Sequence, residues 1–296
     1  MSKYMTVLFL PILIIFTYLS VAYPMDWKSL HTKADNLSLP AAQEAVVKNP
    51  GSTDEQYVLG LVYLDLHQDQ EAYQIFNGLL VSNPDMVEAT WGLAESLRRK
   101  HDIIKAESLL NEAIKVDSQF APALISLAYI KYSKMDFAGS VRLALKVIQQ
   151  GPDKMDLSNY VRAYCLYAGS KGMIAYYGGL LSKLVNGLAV KSNLDKAHRL
   201  QPDSPAVLFG LGSYYLLAPA IAGGDKTKAE KYFNQALKAD PLLADVYVRL
   251  AQLAKIEGDK QKYDFYLNKA LEIDPQNELA LDTQSGRCKF ICTGGE

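Results

Sequence analysis

The sequence predicts an all-α solenoid, a row of about six stacked helix hairpins with an irregular unit in the middle. Three observations predict it. A helix-ending residue recurs at Pro50, Pro84, Ser118 and Pro152, 34 residues apart each time, and Pro241 and Pro275 repeat that spacing. Within each period the same residue types fall at the same offsets, the signature of a repeat architecture. Only 12 prolines and 19 glycines in 296 residues leave room for long regular helices.

The chain begins with a segment set apart from the repeats. Lys3 is the sole charge before Asp26, and Met5 to Ala22 is almost wholly apolar. Ser20-Val21-Ala22 places small residues where a signal peptidase cuts. Residues 1–22 are therefore expected to be a signal peptide, with an uncleaved anchor as the alternative. Either way the basic end stays inside and the rest lies outside the cytoplasm, periplasmic or secreted. Membrane attachment is expected only in the uncleaved case.

The solenoid is expected over 23–283. Its units fall near 26–50, 53–86, 87–120, 121–154, 155–204, 205–243 and 244–277, with a tail at 284–296. With Thr53 as position 1, position 8 is Gly60, position 11 Tyr63, position 20 Ala72, position 24 Phe76 and position 32 Pro84. Ala94, Ala106 and Leu110 keep the frame in the next unit, Ala128 and Ser140 in the third. Gly212, Ala229 and Phe233 keep it after the irregular region, and Ala251 and Leu267 in the last unit. Small residues let two helices approach closely, and larger ones fill what remains. Proline at position 32 ends the second helix because it lacks an N–H and clashes with the preceding turn. One unit cannot bury its apolar face alone, so neighbours must stack.

These residues resemble the tetratricopeptide repeat (TPR) family over most of the chain. The resemblance implies a right-handed superhelix whose first helices line a concave groove, and a scaffold or adaptor that binds a peptide or another protein there. At the groove positions of the family this sequence carries Tyr57, Leu61, Asp65, Glu88, Trp91, Glu95, Arg98, Arg99, Ile125, Tyr129, Tyr132, Phe209, Ser213 and Leu216. Aromatic residues and arginine dominate binding hot spots. Arg98 to His101 reads as a local basic cluster. Members that grip a terminal carboxylate need lysine and asparagine where this chain has Tyr57, Leu61, Gly92, Pro122 and Ser126, so that mode is disfavoured.

The middle unit departs from the period. Its first helix is expected over Leu157 to Ser170, followed by an extended helix with loops at Gly178-Gly179 and near Gly187. Tyrosine is abundant, 19 in all, and several crowd this unit from Tyr160 to Tyr177. Further on, Gly223-Gly224 precedes Asp225 in an N-cap position. The segment Pro219 to Leu237 resembles the T-component proteins of tripartite periplasmic transporters. That implies a second reading, a small-ligand-binding helical-repeat protein with a closed apolar pocket among Tyr160, Tyr164, Tyr176 and Tyr177.

Other chemistries find little support. The 31 basic and 32 acidic residues give a formal charge of −1, which argues against a nucleic-acid partner. His31, His67, His101 and His198 show no metal-ligand spacing, so each is expected to be structural or solvent-exposed and no metal is expected. Gly223 to Thr227 fails as a phosphate loop, because Lys226 follows aspartate where glycine is required. No serine sits in a nucleophile elbow, so the expectation is a non-enzyme without a cofactor. Cys165 reads as a small buried hydrophobe. Cys288 and Cys292 could pair in an oxidising compartment, and both states stay open at this point.

Overall fold

The computed structural model describes residues 25–291. The segment 1–22, expected to be a signal peptide, and Cys292 lie outside the described residues. Among the described residues, the chain forms fifteen α-helices and no strand. Two short helices, α1 (Trp27–Ala34) and α2 (Leu39–Lys48), lead the array and both pack on the third. Six packed hairpins follow, as expected: α3 (Thr53–Asp65) with α4 (Asp69–Ser82), and α5 (Val87–Arg99) with α6 (Ile103–Val116). Then come α7 (Ala121–Ser133) with α8 (Phe137–Gln150), α9 (Leu157–Tyr177) with α10 (Leu180–Leu200), α11 (Pro205–Leu217) with α12 (Lys226–Ala239), and α13 (Ala244–Glu257) with α14 (Lys260–Ile273). A single helix, α15 (Glu278–Ser285), closes the array. No helix among the described residues is long and apolar enough to cross a membrane.

Two devices repeat along the solenoid. Asp102, Asp136, Asp225 and Asp259 each precede a second helix and accept a hydrogen bond from the backbone N–H three residues on. That satisfies one orphan donor of each helix start. The second device is a matched pair of sizes. A Cβ on Gly60 would lie 2.7 Å from the Phe76 ring, and one on Gly212 would lie 2.5 Å from Phe233. Where the repeat carries alanine instead, at Ala94 and Ala251, the partner position holds the smaller Leu110 and Leu267. Position 8 is glycine where position 24 is phenylalanine, because only glycine leaves room for the ring.

The middle hairpin differs from the expectation. α9 runs on to Tyr177 and α10 continues to Leu200, each 21 residues long. The chain turns at Gly178-Gly179, as expected, but α10 passes through Gly187 unbroken. An exposed glycine costs a helix only about 1 kcal/mol. The Lys191–Asp195 pair, 2.6 Å apart one turn on, supports the same helix.

The leading helix α1 ties the start of the solenoid to its middle. Lys28 Nζ donates to the Asp153 carbonyl at 2.9 Å, and Ser158 Oγ donates to Asp35 at 2.7 Å. Beneath these contacts Trp27, His31, Tyr57, Trp91 and Phe120 pack ring against ring. The far end also returns to the beginning. His67, in the turn after α3, meets Asp240 at the end of α12, and His101, after α5, meets Asp274 at the end of α14. One unit further, Phe290 stacks on Tyr132 with centroids 5.8 Å apart, and Lys289 Nζ donates to the Ser133 carbonyl at 3.1 Å. The superhelix thus closes on itself around a central lumen.

Candidate functional site

The lumen measures about 2630 Å³. Its wall comes from α1, α3, α5, α7, α9, α11 and α13, with α10 and the start of α15 added. Among the other second helices, α4, α6, α12 and α14 reach it only through their end residues. Period-34 stacking explains this arrangement, since it sets each first helix beside the next on the inner face.

Of the residues singled out in the sequence, Leu61, Asp65, Trp91, Glu95, Arg98, Arg99, Tyr129, Tyr132, Phe209, Ser213 and Leu216 line the lumen. Tyr57, Glu88, Ile125 and Tyr164 do not. Tyr57 is 0% exposed, and its hydroxyl lies 2.8 Å from His31 Nε2. The added helix α1 covers the place where the repeat frame puts it on an open groove. Tyr164 is buried against Tyr160, with their hydroxyls 3.2 Å apart. Tyr176 and Tyr177 lie on the lumen side and are exposed. The four tyrosines therefore do not enclose one apolar pocket.

The basic cluster is consumed within the chain. Arg98 donates to both Glu95 oxygens, at 2.9 and 2.7 Å, and its guanidinium sits 4.3 Å from the Tyr129 ring centroid. Burial opposes ionisation of Glu95, but the charge and hydrogen bonds of Arg98, with help from Arg162 and Ser126, hold its carboxyl well below the usual range. Ser126 donates to Glu95 and accepts from the Trp91 indole. Arg99 reaches the Leu64 carbonyl, His67 and Asp69. Lys100 donates to Gln70. His67 and His101 are likewise not isolated histidines, because both bind carboxylates across the seam.

Sequence reasoning missed three parts of the wall. The first is α10, whose Leu180, Leu184 and Leu188 line the lumen while 78%, 57% and 77% exposed. The i, i+4, i+8 spacing of these leucines was the available signal. The second is the tail. Phe290 and Ile291 are buried, and their carbonyls accept from the Arg249 guanidinium at 3.2 and 2.7 Å. Cys288 beside them is disulfide-bonded, whereas Cys165 is a free thiol on the lumen wall that burial pushes up to about 12.

The third lies where α1, α3 and α9 meet. Asp35, Asp65, Asp156, Asn159 and Arg162 line the lumen there, and of these the sequence pointed only to Asp65. Asp35 and Asp65 are exposed at the lumen wall. The surrounding protein still desolvates them: it raises Asp65 to about 6, with Asp35 adding to the rise while Arg162, Arg99 and His67 oppose it, and it raises Asp35. His31 is lowered to about 4, chiefly by burial. Its Nδ1 accepts from Asn159 Nδ2 at 3.1 Å, so Nε2 carries the proton toward Tyr57. Among the described residues no three His, Cys, Asp or Glu side chains converge as a metal site.

Comparison with known proteins agrees with this architecture. A family model described as the TRAP transporter T-component matches residues 190–285, which contain the segment Pro219 to Leu237. No curated protein sequence matches the chain. Among solved structures it is similar to a thermophilic TPR protein of Thermus thermophilus, TTC0263, at 20% identity and a TM-score of 0.55 over 68% of this chain and 98% of that one. It is similar to the APC/C hetero-tetramer Cut9–Hcn1 at 16% identity and a TM-score of 0.62, over 88% of this chain and 49% of that one. A tetratricopeptide repeat protein from Parabacteroides merdae matches at 12% identity and a TM-score of 0.52, over 86% and 96%. The chain has the fold of a TPR solenoid.

Proposed function

We propose that the protein is an exported scaffold that holds a segment of a partner protein in its lumen. One observation carries this reading. Leu180, Leu184 and Leu188 of α10, Ile221 and the Tyr176–Tyr177 pair are all exposed and all line the lumen. Exposed apolar surface of this extent marks interaction sites in soluble chains. The lumen is also larger than the roughly 300–1,000 Å³ that a small ligand fills, so a chain segment suits it better. Preformed helices need little ordering to receive such a segment. Export is supported by the apolar segment Met5 to Ala22 and the small residues of Ser20-Val21-Ala22 that end it.

A photo-crosslinking residue at Phe209 or Leu188 tests the reading in cells. Both positions should capture the same partner, and Val116, exposed at the end of α6 and absent from the lumen wall, should capture none. Equal capture from Val116 removes the lumen as the binding place. Fractionation with N-terminal sequencing tests export: a mature chain beginning at Tyr23 is expected, and an intact Met1 in the cytoplasm removes it.

A second reading rests on the T-component match over residues 190–285. In it the protein serves a transporter and binds a small solute. Saturable binding of one solute by the purified chain, with no partner captured, would favour it.

A further inference from the structure

The corner formed by α1, α3 and α9 has an unbalanced set of charges. Asp65 makes no hydrogen bond or ion pair with the described chain. Asp35 accepts only from Ser158. Asp156 accepts from the Asn159 backbone and side chain. Against these three carboxylates stand Arg162 and, on the side of Asp65, Arg99. Arg162 lies 3.7 Å from Glu95, which Arg98 already matches, and Arg99 is already paired with Asp69. The neighbouring His31 is neutral in this setting. The corner is therefore acidic and left so by the chain itself.

A second observation comes from the same corner. Asn159 is part of the lumen wall but only 3% exposed, and its buried Oδ1 accepts no hydrogen bond among the described residues. The orientation of its amide is fixed, because Nδ2 donates to Asp156 at 2.7 Å and to His31. A buried acceptor without a donor costs about 1–3 kcal/mol, so the wall favours a ligand that brings N–H groups. The carboxylates do not converge as a metal site, which suits a larger cation.

We propose that Asp35, Asp65 and Asn159 form a subsite for an organic cation, an ammonium or guanidinium group carried by a lysine or arginine side chain of the bound segment. This rests on the scaffold reading for its source of ligand, and on the geometry alone for its chemistry. The carboxylates supply the charge, and Asn159 supplies a directional acceptor that an apolar ligand cannot use. Arg162 stands beside the subsite and weakens it by repulsion.

The test uses the purified full chain and small probes. Nα-acetyl-arginine methylamide, Nα-acetyl-lysine methylamide and spermidine are the cations; the norleucine and glutamate analogues are the neutral and anionic controls. The readout is the NMR signal of the Asn159 side-chain amide. The cationic amides should shift it saturably, and the controls should not. Asp65→Asn should weaken cation binding about tenfold, equivalent to about 1.4 kcal/mol, and Arg162→Gln should strengthen it. Asp35→Asn gives an independent loss should Asp65→Asn fold poorly. Equal shifts from the norleucine analogue, or undiminished binding by both asparagine variants, would overturn the subsite. Binding of spermidine alone overturns the side chain as its source. Cation binding without capture from Phe209 loses the scaffold and keeps the subsite; capture without cation selectivity loses only the subsite.

Discussion

His67 Nε2 lies 3.0 Å from Asp240, and one 34-residue period later His101 Nε2 lies 2.9 Å from Asp274. Both pairs span 173 residues. The same contact is thus made twice, because two successive units at the start of the solenoid face two successive units at its end. Each histidine sits in the left-handed region, with φ of 57° and 63°. A side chain there costs about 1–2 kcal/mol relative to ordinary helical backbone, and the equivalent position of the last unit is Gly258. The histidines are the costlier choice locally, and the seam is what they supply.

Replacing both with glycine separates the two effects. His67→Gly with His101→Gly relieves the backbone and removes two half-exposed pairs, each worth about 0–1 kcal/mol. Global stability should change by less than about 2 kcal/mol, while spin labels at Glu71 and Lys238 should show a broader distance distribution. An unchanged distribution means that the pairs follow the closure and do not hold it.

The glycine–phenylalanine match predicts a coupled cost. Gly60→Ala drives a methyl into the Phe76 ring, which has no free space to move into. Overpacking of this kind costs about 1–3 kcal/mol. Phe76→Leu alone leaves a gap, but the double variant recreates the Ala94 and Leu110 combination of the next unit. Denaturant unfolding should give a favourable coupling energy between the two sites. Simple additivity would show that the ring is not the obstacle.

The repeat was legible because its causes are local. Proline at position 32, aspartate before the second helix and the paired sizes at positions 8 and 24 act within one or two hairpins, where sequence spacing reports contact. Closure was not legible, because it depends on the summed rotation of all units. The signal for it existed: His67 and His101 occupy one repeat position, and Asp240 and Asp274 occupy another. Only the superhelix brings those positions together. The basic cluster misled because its partners lie at several distances: Glu95 in the same helix for Arg98, the preceding hairpin for Arg99, and Asp274 across the closure for His101. Tyr57 misled because α1, which carries no full repeat signature, covers it.

Arg98 carries a prediction that bears on any binding assay. Its obvious substitution, Arg98→Ala, leaves the buried Glu95 carboxylate without its main partner. Breaking such a pair from one side costs about 3–5 kcal/mol. Lost capture by that variant would therefore report damaged folding. Glu95→Gln combined with Arg98→Met removes both charges together and should recover most of the loss in thermal unfolding. If the double variant is as unstable as the single one, the pair is not the source of the cost.

Asp65 gives the lumen a pH dependence of known sign. Although Asp65 is exposed at the lumen wall, desolvation by the surrounding protein pushes its carboxyl up to about 6, against about 3.9 when unfolded, and solvent screening makes the effect on stability small. A raised acid pKa stabilises the fold fully below the unfolded value, and that contribution is lost as pH rises through about 6. The groups facing it are Asp35, which raises it, and Arg162, Arg99 and His67, which lower it. Asp65→Asn should therefore raise the melting temperature at pH 7 to 8 and flatten its dependence between pH 4 and 7. A bound cation should do the opposite to the titration, pulling the Asp65 midpoint down by favouring the charged form. Carbon-detected NMR of the Asp65 carboxyl, with and without Nα-acetyl-arginine methylamide, reads both midpoints. A midpoint near 4 in the free chain would mean that the lumen screens this charge as bulk water does.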